Sequence, residues 1–187
     1  MKIAVFNQKG GVGKSSLSYS FAKDLDYNYI TNDESIIPNI YDKAKIELGE
    51  FKIINKCVYD LGGFKTPFIG KLLKSVDKVI IPTINDYNSL LRARDIIEYL
   101  EGKNCIVIAN MIDSKQDLAD ITKAVQNTYK VKVLPLKRTK AFKNGMESAR
   151  SLNEIFNESG LTKHIYKSIQ KQYKTILKEI KKWVQIK

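Results

Sequence analysis

Ten residues near the start of the chain, Asn7-Gln8-Lys9-Gly10-Gly11-Val12-Gly13-Lys14-Ser15-Ser16, constrain it more than any other stretch. They follow the apolar run Ile3-Ala4-Val5-Phe6, which reads as a buried strand, and precede Leu17 to Leu25, which reads as a helix. A glycine-rich turn between a strand and a helix is the setting of a phosphate-binding loop. The glycines let successive backbone N–H groups point into one concavity, and the helix N-terminus adds partial positive charge. Lys14 is then placed to reach the β- and γ-phosphates of a nucleotide, and the Ser15 hydroxyl to meet Mg²⁺. The alternative is a glycine-rich turn with two incidental lysines, and the strand-turn-helix context weighs against it.

The match to the generic G-x-x-x-x-G-K-[ST] pattern is incomplete. Gln8 stands where its first glycine falls, and Lys9 is an additional lysine. The run K-G-G-V-G-K-S resembles the deviant Walker A motif of the ParA/MinD ATPase superfamily. That resemblance implies an ATP site formed by Lys9, Gly10, Gly11, Val12, Gly13, Lys14, Ser15 and Ser16. It also implies a homodimer, in which Lys9 reaches the nucleotide held by the other subunit. Asn7-Gln8, with no glycine before Lys9, is closer to the partition branch of that family than to the MinD branch.

At 187 residues the chain reads as one domain, residues 1–187, long enough to bury a core. Its 43% hydrophobic content and strand-length apolar runs fit a globular protein without a membrane span. The first strand begins at once, so no secretory leader is expected. Cys57 and Cys105 each sit inside an apolar run, as reduced core cysteines of a cytosolic protein do. Two cysteines without further Cys or His partners argue against a zinc or iron–sulfur site. The net charge of +12 points to a polyanion, nucleic acid or an anionic membrane surface. An AT-rich genome, which over-produces Lys, Ile, Asn and Tyr, is the competing source of that excess.

Along the chain, apolar runs alternate with helical periods. Tyr27 to Thr31 reads as a strand ending in the polar cluster Asn32-Asp33-Glu34-Ser35. Lys43 to Leu48 and Glu50 to Asn55, around Gly49, read as two short strands. Cys57 to Tyr59 runs into Asp60-Leu61-Gly62-Gly63, which places a carboxylate at a strand's C-terminal edge, where open α/β sheets bind ligands. A helix beginning near Thr66-Pro67 follows, then a strand over Asp77 to Thr83 and a helix over Asp86 to Glu101, stopped by Gly102. Cys105 to Ala109 is a strand ending in Asn110, Asp117 to Tyr129 a helix, and Val131 to Leu136 the last strand. Ser151-Leu152-Asn153-Glu154 has the form of a capping box.

The resemblance assigns roles along this order. Asp33 falls on the second aspartate of a D-x-D-P-Q element in the first switch and would position the attacking water. Thr31 replaces its first aspartate and Glu34-Ser35 its Pro-Gln. Asp60 would serve the Mg²⁺ shell together with Ser15, and Asn110 would bond the adenine ring. The guanine-specific N-K-x-D is absent after Asn110. Arg138, in the loop after the last strand, would serve nucleotide, DNA or dimer contacts. Asp33 and Asp60 also fit as turn-forming or capping aspartates.

From Leu161 to residue 187 the chain reads as one basic amphipathic helix. Lys163, Lys167, Lys171, Lys174, Lys178 and Lys181 form one stripe, opposite Tyr166, Ile169, Tyr173, Ile176, Leu177, Ile180 and Val184. The lysine stripe fits a solvated face, a DNA-phosphate face or a membrane-surface face, the last favoured slightly by Trp183. The expected fold is α/β, a doubly wound, mostly parallel sheet flanked by helices. The resemblance, covering Met1 to Glu154, implies a short ParA-type partition ATPase using ATP and Mg²⁺. It implies non-specific DNA and a centromere-binding adaptor as partners, a cytoplasmic, nucleoid-associated bacterial location, slow intrinsic turnover and no stable membrane association. The competing readings are a MinD-like positioning ATPase, a metallocluster-type reductase of the same superfamily, undercut by the missing cysteine arrangement, and a nucleotide-binding scaffold without turnover.

Overall fold

A computed structural model describes residues 1–49, 52–62 and 67–182. Seven strands form one sheet, flanked on both faces by helices. In chain order they are β1 (Lys2–Val5), β2 (Asn28–Thr31), β3 (Ala44–Ile46), β4 (Cys57–Asp60), β5 (Lys78–Thr83), β6 (Cys105–Ile112) and β7 (Lys132–Lys137). The helices are α1 (Lys14–Leu25), α2 (Ile37–Ile40), α3 (Pro67–Ser75), α4 (Tyr87–Tyr99), α5 (Lys115–Val125), α6 (Ala141–Glu147), α7 (Leu152–Asn157), α8 (Gly160–Ile165) and α9 (Lys167–Lys182). The sheet order is β3-β2-β4-β1-β5-β6-β7, and every pairing is parallel.

An all-parallel sheet is buried on both faces, which is why β4 and β5 are buried at every position instead of alternating. One core gathers Leu72, Ile81, Ile97 and Val107 on the side of α3, α4 and α5. The other gathers Leu17, Phe21, Ile108 and Ile176 on the side of α1 and α9. Thus α1, leaving β1, and α3, leaving β4, go to opposite faces of adjacent strands. The divergence opens a crevice at the C-terminal ends of β1 and β4, where such sheets hold ligands.

Local chemistry sets the helix ends. Asp86 caps α4 by accepting from the Ser89 N–H at 3.0 Å, and Gly102, at φ 67°, donates back to the Ile97 carbonyl to close it. A Cβ on Gly102 would sit 2.8 Å from Cβ of Tyr129, so the position also needs glycine for space. Ser151 and Glu154 form the expected capping box of α7. A second box, Ser114 with Asp117, starts α5 two residues before the expected Asp117.

Three expectations are corrected. Of the two strands around Gly49 only the first forms, as β3; residues 52–54 are not extended into the sheet, and 50–51 lie outside the described residues. The strand holding Asn110 does not end there but continues to Ile112 through a bulge, with Met111 at φ 54°. The helix expected from Leu161 is two helices, α8 and α9, parted by a turn at Tyr166. Lysine and apolar recurrences run unbroken across that turn, so periodicity could not register it. The remaining boundaries shift by a few residues. The expected α3 start at Thr66 and the positions of Trp183 and Val184 lie outside the described residues.

α9 carries most of the C-terminal packing. Tyr173, Ile176, Leu177 and Ile180 are buried, with Tyr166 and Ile169 packed alongside. The Tyr173 ring stacks on Phe21 at 5.9 Å and meets Phe142 and Phe156 at 6.5 and 6.1 Å. Its hydroxyl donates to Asp24 of α1 at 2.8 Å, which satisfies the polar end of a fully buried ring.

Candidate nucleotide site

The loop between β1 and α1 is built around two glycines with positive φ, Gly11 at 76° and Gly13 at 87°. Gly13 also caps α1, accepting from the Leu17 N–H at 3.1 Å. No acidic residue lies in the first turn of α1, so the partial positive charge of its N-terminus is left available to an anion. The two ends of the loop are pinned by asparagines. Asn7, fully buried, donates its amide to the Pro82 carbonyl at 2.9 Å and accepts from the Lys9 N–H at 2.9 Å. Asn110, 4% exposed, donates to the Val12 carbonyl at 2.8 Å.

Lys14 lies within the electrostatic reach of Asp60. The Lys14 ammonium donates to the Lys9 carbonyl at 3.0 Å, so the two signature lysines are joined through the loop's own backbone. Burial lowers the Lys14 pKa, while the charges of Asp60 and Asp33 push it back up. Asp60 lies opposite Val5 in β1 and Thr31 in β2, at the centre of the crevice. Burial raises its pKa, opposed by hydrogen bonds from Tyr29, Ser15 and Ser18 and by the charge of Lys14.

Asp33 lies in the exposed loop after β2, with its N–H on the Thr31 hydroxyl at 3.1 Å and its carboxylate accepting from the Glu34 N–H at 2.9 Å. The neighbouring Asn32 accepts from the Gly62 N–H at 2.6 Å, which ties the loop after β2 to the loop after β4. A Cβ on Gly62 would lie 3.6 Å from the Asp33 carboxylate. Lys9, Lys14, Ser15, Asp33 and Asp60 are therefore gathered at one end of the sheet.

Beside the loop a cavity of about 140 Å³ is lined by Gly13, Ser16, Asn110, Met111, Arg138 and Phe142. Arg138 pairs with Asp113 at 3.3 Å, both largely exposed at the cavity's lip. The lysines Lys163, Lys167, Lys171, Lys174 and Lys178 do not line this cavity and do not share one helix. Lys163 is on α8, while the other four line an open, shallow surface along α9 with Gln170 and Thr175.

The donor set fits Mg²⁺. A serine hydroxyl and a carboxylate, Ser15 and Asp60, are hard oxygen ligands in mutual reach, the partial set Mg²⁺ takes when phosphates and waters complete it. Among the described residues no cluster of three His, Cys, Asp or Glu side chains could hold a metal alone. Cys57 and Cys105 are buried free thiols, pushed by burial up to about 12 and about 11.

Sequence reasoning missed Asn7, Ser18, Tyr29 and Asn32 as parts of this site. The available signal was Ser18, a polar residue one turn beyond Lys14 and Ser15 on a helix face that the core should cover.

Strand order, loop and crevice define a P-loop α/β fold, and solved structures resemble it along nearly the whole chain. A complex of Cyanothece McdA with ATP matches with a TM-score of 0.70 at 12% identity, over 100% of this chain and 96% of that one. The septum site-determining protein MinD of Pyrococcus horikoshii OT3, complexed with Mg-ADP, matches at 0.66 and 14%, over 99% and 97%. A putative plasmid partition protein of Borrelia burgdorferi B31, bound to AMPPNP, matches at 0.60 and 15%, over 93% and 98%. No protein-family model matches the sequence, and no curated protein matches it significantly. The chain has the fold of the ParA/MinD ATPases, as the resemblance of its loop implied.

Proposed function

We propose that this protein is a ParA-type partition ATPase. It binds ATP with Mg²⁺ at the loop, closes as a homodimer around the nucleotide, and in that state holds duplex DNA without sequence preference. The observation that carries the reading is the joining of Lys14 to the Lys9 carbonyl on one glycine loop, within reach of the charges of Asp60 and Asp33. Backbone N–H groups from Gly10 to Ser16 receive the phosphates, and Lys14 neutralises their charge. Lys9 reaches the partner subunit's phosphates. Ser15 and Asp60 hold the Mg²⁺ ion, which when bound offsets charge building on the phosphate oxygens. Asp33, exposed at the rim, orients the attacking water, and Asn110 and Arg138 border the base.

The lysines of α8 and α9 are the proposed DNA contacts, consistent with the net charge of +12. A centromere-binding adaptor stimulates turnover in this scheme, and the protein works at the nucleoid in the bacterial cytoplasm. Among the described residues no helix is long and apolar enough to cross a membrane. A MinD-like role at a membrane surface is the second reading, favoured by Leu161 and Ile165, which are 69% and 60% exposed beside these lysines.

Steady-state ATP turnover of Lys14→Ala and Lys9→Ala tests the site. Loss of one charge-stabilising donor lowers turnover by about 10²–10³-fold. Lys9→Ala is expected also to lose ATP-dependent dimerisation in sedimentation. Unchanged turnover in both variants would contradict the reading.

A further inference from the structure

The carboxylate of Asp60 is held from below by two hydroxyls that no nucleotide-loop pattern contains. Its Oδ2 accepts the Tyr29 hydroxyl at 2.6 Å, and its Oδ1 accepts the Ser18 hydroxyl at 3.2 Å. Tyr29 and Ser18 are fully buried and Asp60 is 3% exposed. The sheet register explains the geometry. Tyr29 pairs with Val58, and Asp60 lies two residues on along β4, so ring and carboxylate share the face that α1 covers. A tyrosine ring spans that step and a shorter residue would not. Ser18 comes from α1 itself, one turn after Ser15.

Two donors, one per oxygen, fix both the rotation of the carboxylate and its acceptor character. One lone pair on each oxygen is used below the site, and the others remain for Ser15 and whatever the loop holds. We propose that Tyr29 is a positioning residue for the divalent-cation site, its hydroxyl acting with that of Ser18 to hold Asp60 pre-oriented beneath Ser15. This rests on the reading that Ser15 and Asp60 receive Mg²⁺. Hydrogen bonds that orient a metal-ligating carboxylate are worth about 10–100-fold in metal affinity, and the 2.6 Å contact makes Tyr29 the stronger of the two.

The test is Mg²⁺ titration of a fluorescent ATP analogue bound to the full chain, with wild type, Tyr29→Phe and Ser18→Ala compared, alongside thermal unfolding without nucleotide or metal. Tyr29→Phe keeps the ring and removes only the hydroxyl. It is expected to raise the half-saturating Mg²⁺ concentration about tenfold or more, with analogue affinity in EDTA unchanged. Ser18→Ala is expected to shift the midpoint the same way by less, and it carries the test if Tyr29→Phe does not fold. A variant that melts lower yet keeps the wild-type Mg²⁺ midpoint has lost only packing, and that result overturns the positioning role. Wild-type binding that ignores Mg²⁺ altogether removes the underlying metal reading, and the proposal with it.

Discussion

Gly13 is the tightest point of the loop. A Cβ there would lie 2.5 Å from the Asn110 amide nitrogen, and φ is 87°. An alanine would carry about 1–2 kcal/mol of left-handed backbone strain. It would also displace Asn110 from the Val12 carbonyl, leaving buried polar groups unpaired at a further ~1–3 kcal/mol. Gly13→Ala is therefore expected to lower the melting temperature and abolish nucleotide binding together, whereas Gly10→Ala, with nothing within 4 Å of its Cβ, keeps the fold. Equal melting temperatures for the two variants would contradict this packing.

Lys78 offers a separate check. It is 1% exposed, and burial pulls its ammonium down to about 8. In the unfolded chain a lysine titrates near ~10.4. Between those values the unfolded state holds the extra proton, so this group adds stability as pH rises from about 8 toward 10, and its full cost is present below 8. The stability difference between wild type and Lys78→Met should change across that window by up to about 1.4 kcal/mol per pH unit. A flat difference from about pH 7 to 10 would contradict the depressed ammonium.

Among the elements, α9 joins the two functions assigned to the C-terminus. Its inner face is a packing surface: Tyr173→Ala would remove a fully buried ring between Phe21, Phe142 and Phe156 and cost about 3–5 kcal/mol, read by denaturant unfolding. Its outer face carries Lys167, Lys171, Lys174 and Lys178. Replacing Lys171 and Lys174 by alanine should leave stability within ~0.5 kcal/mol of wild type. If they contact phosphates, the same change lowers the salt slope of DNA binding by about one per lysine. The inner stripe was legible because apolar residues recur at helical spacing. The turn at Tyr166 was not, because a single-residue break leaves the recurrence intact. In strands, the edge strand β3 was legible around Ala44-Lys45-Ile46, with Lys45 and Ile46 exposed, whereas the second strand expected after Gly49 does not form over residues 52–54. Asp60 was legible as a strand-end carboxylate. Tyr29 was not, because its role depends on β2 pairing with β4, which brings together residues 31 positions apart and which local spacing does not encode.

At the scale of the whole molecule, the sheet order accounts for the site. β4 lies between β1 and β2, so Asp60, Thr31 and the loop after Val5 arrive side by side although they are far apart in sequence. The class of this architecture followed from alternating apolar runs and helical periods, and its centre from K-G-G-V-G-K-S. The order of strands follows from tertiary packing alone. The net charge of +12 is a property of the same scale, and it is the sequence signal behind the proposed polyanionic partner. Co-sedimentation of the full chain with non-specific duplex DNA and with anionic liposomes, each with ATP, ADP or no nucleotide, tests that claim most directly. The partition reading predicts DNA binding that requires ATP, fades with salt and is absent with ADP, while liposomes pellet little protein. Liposome binding that requires ATP, with DNA ignored in every nucleotide state, would contradict it.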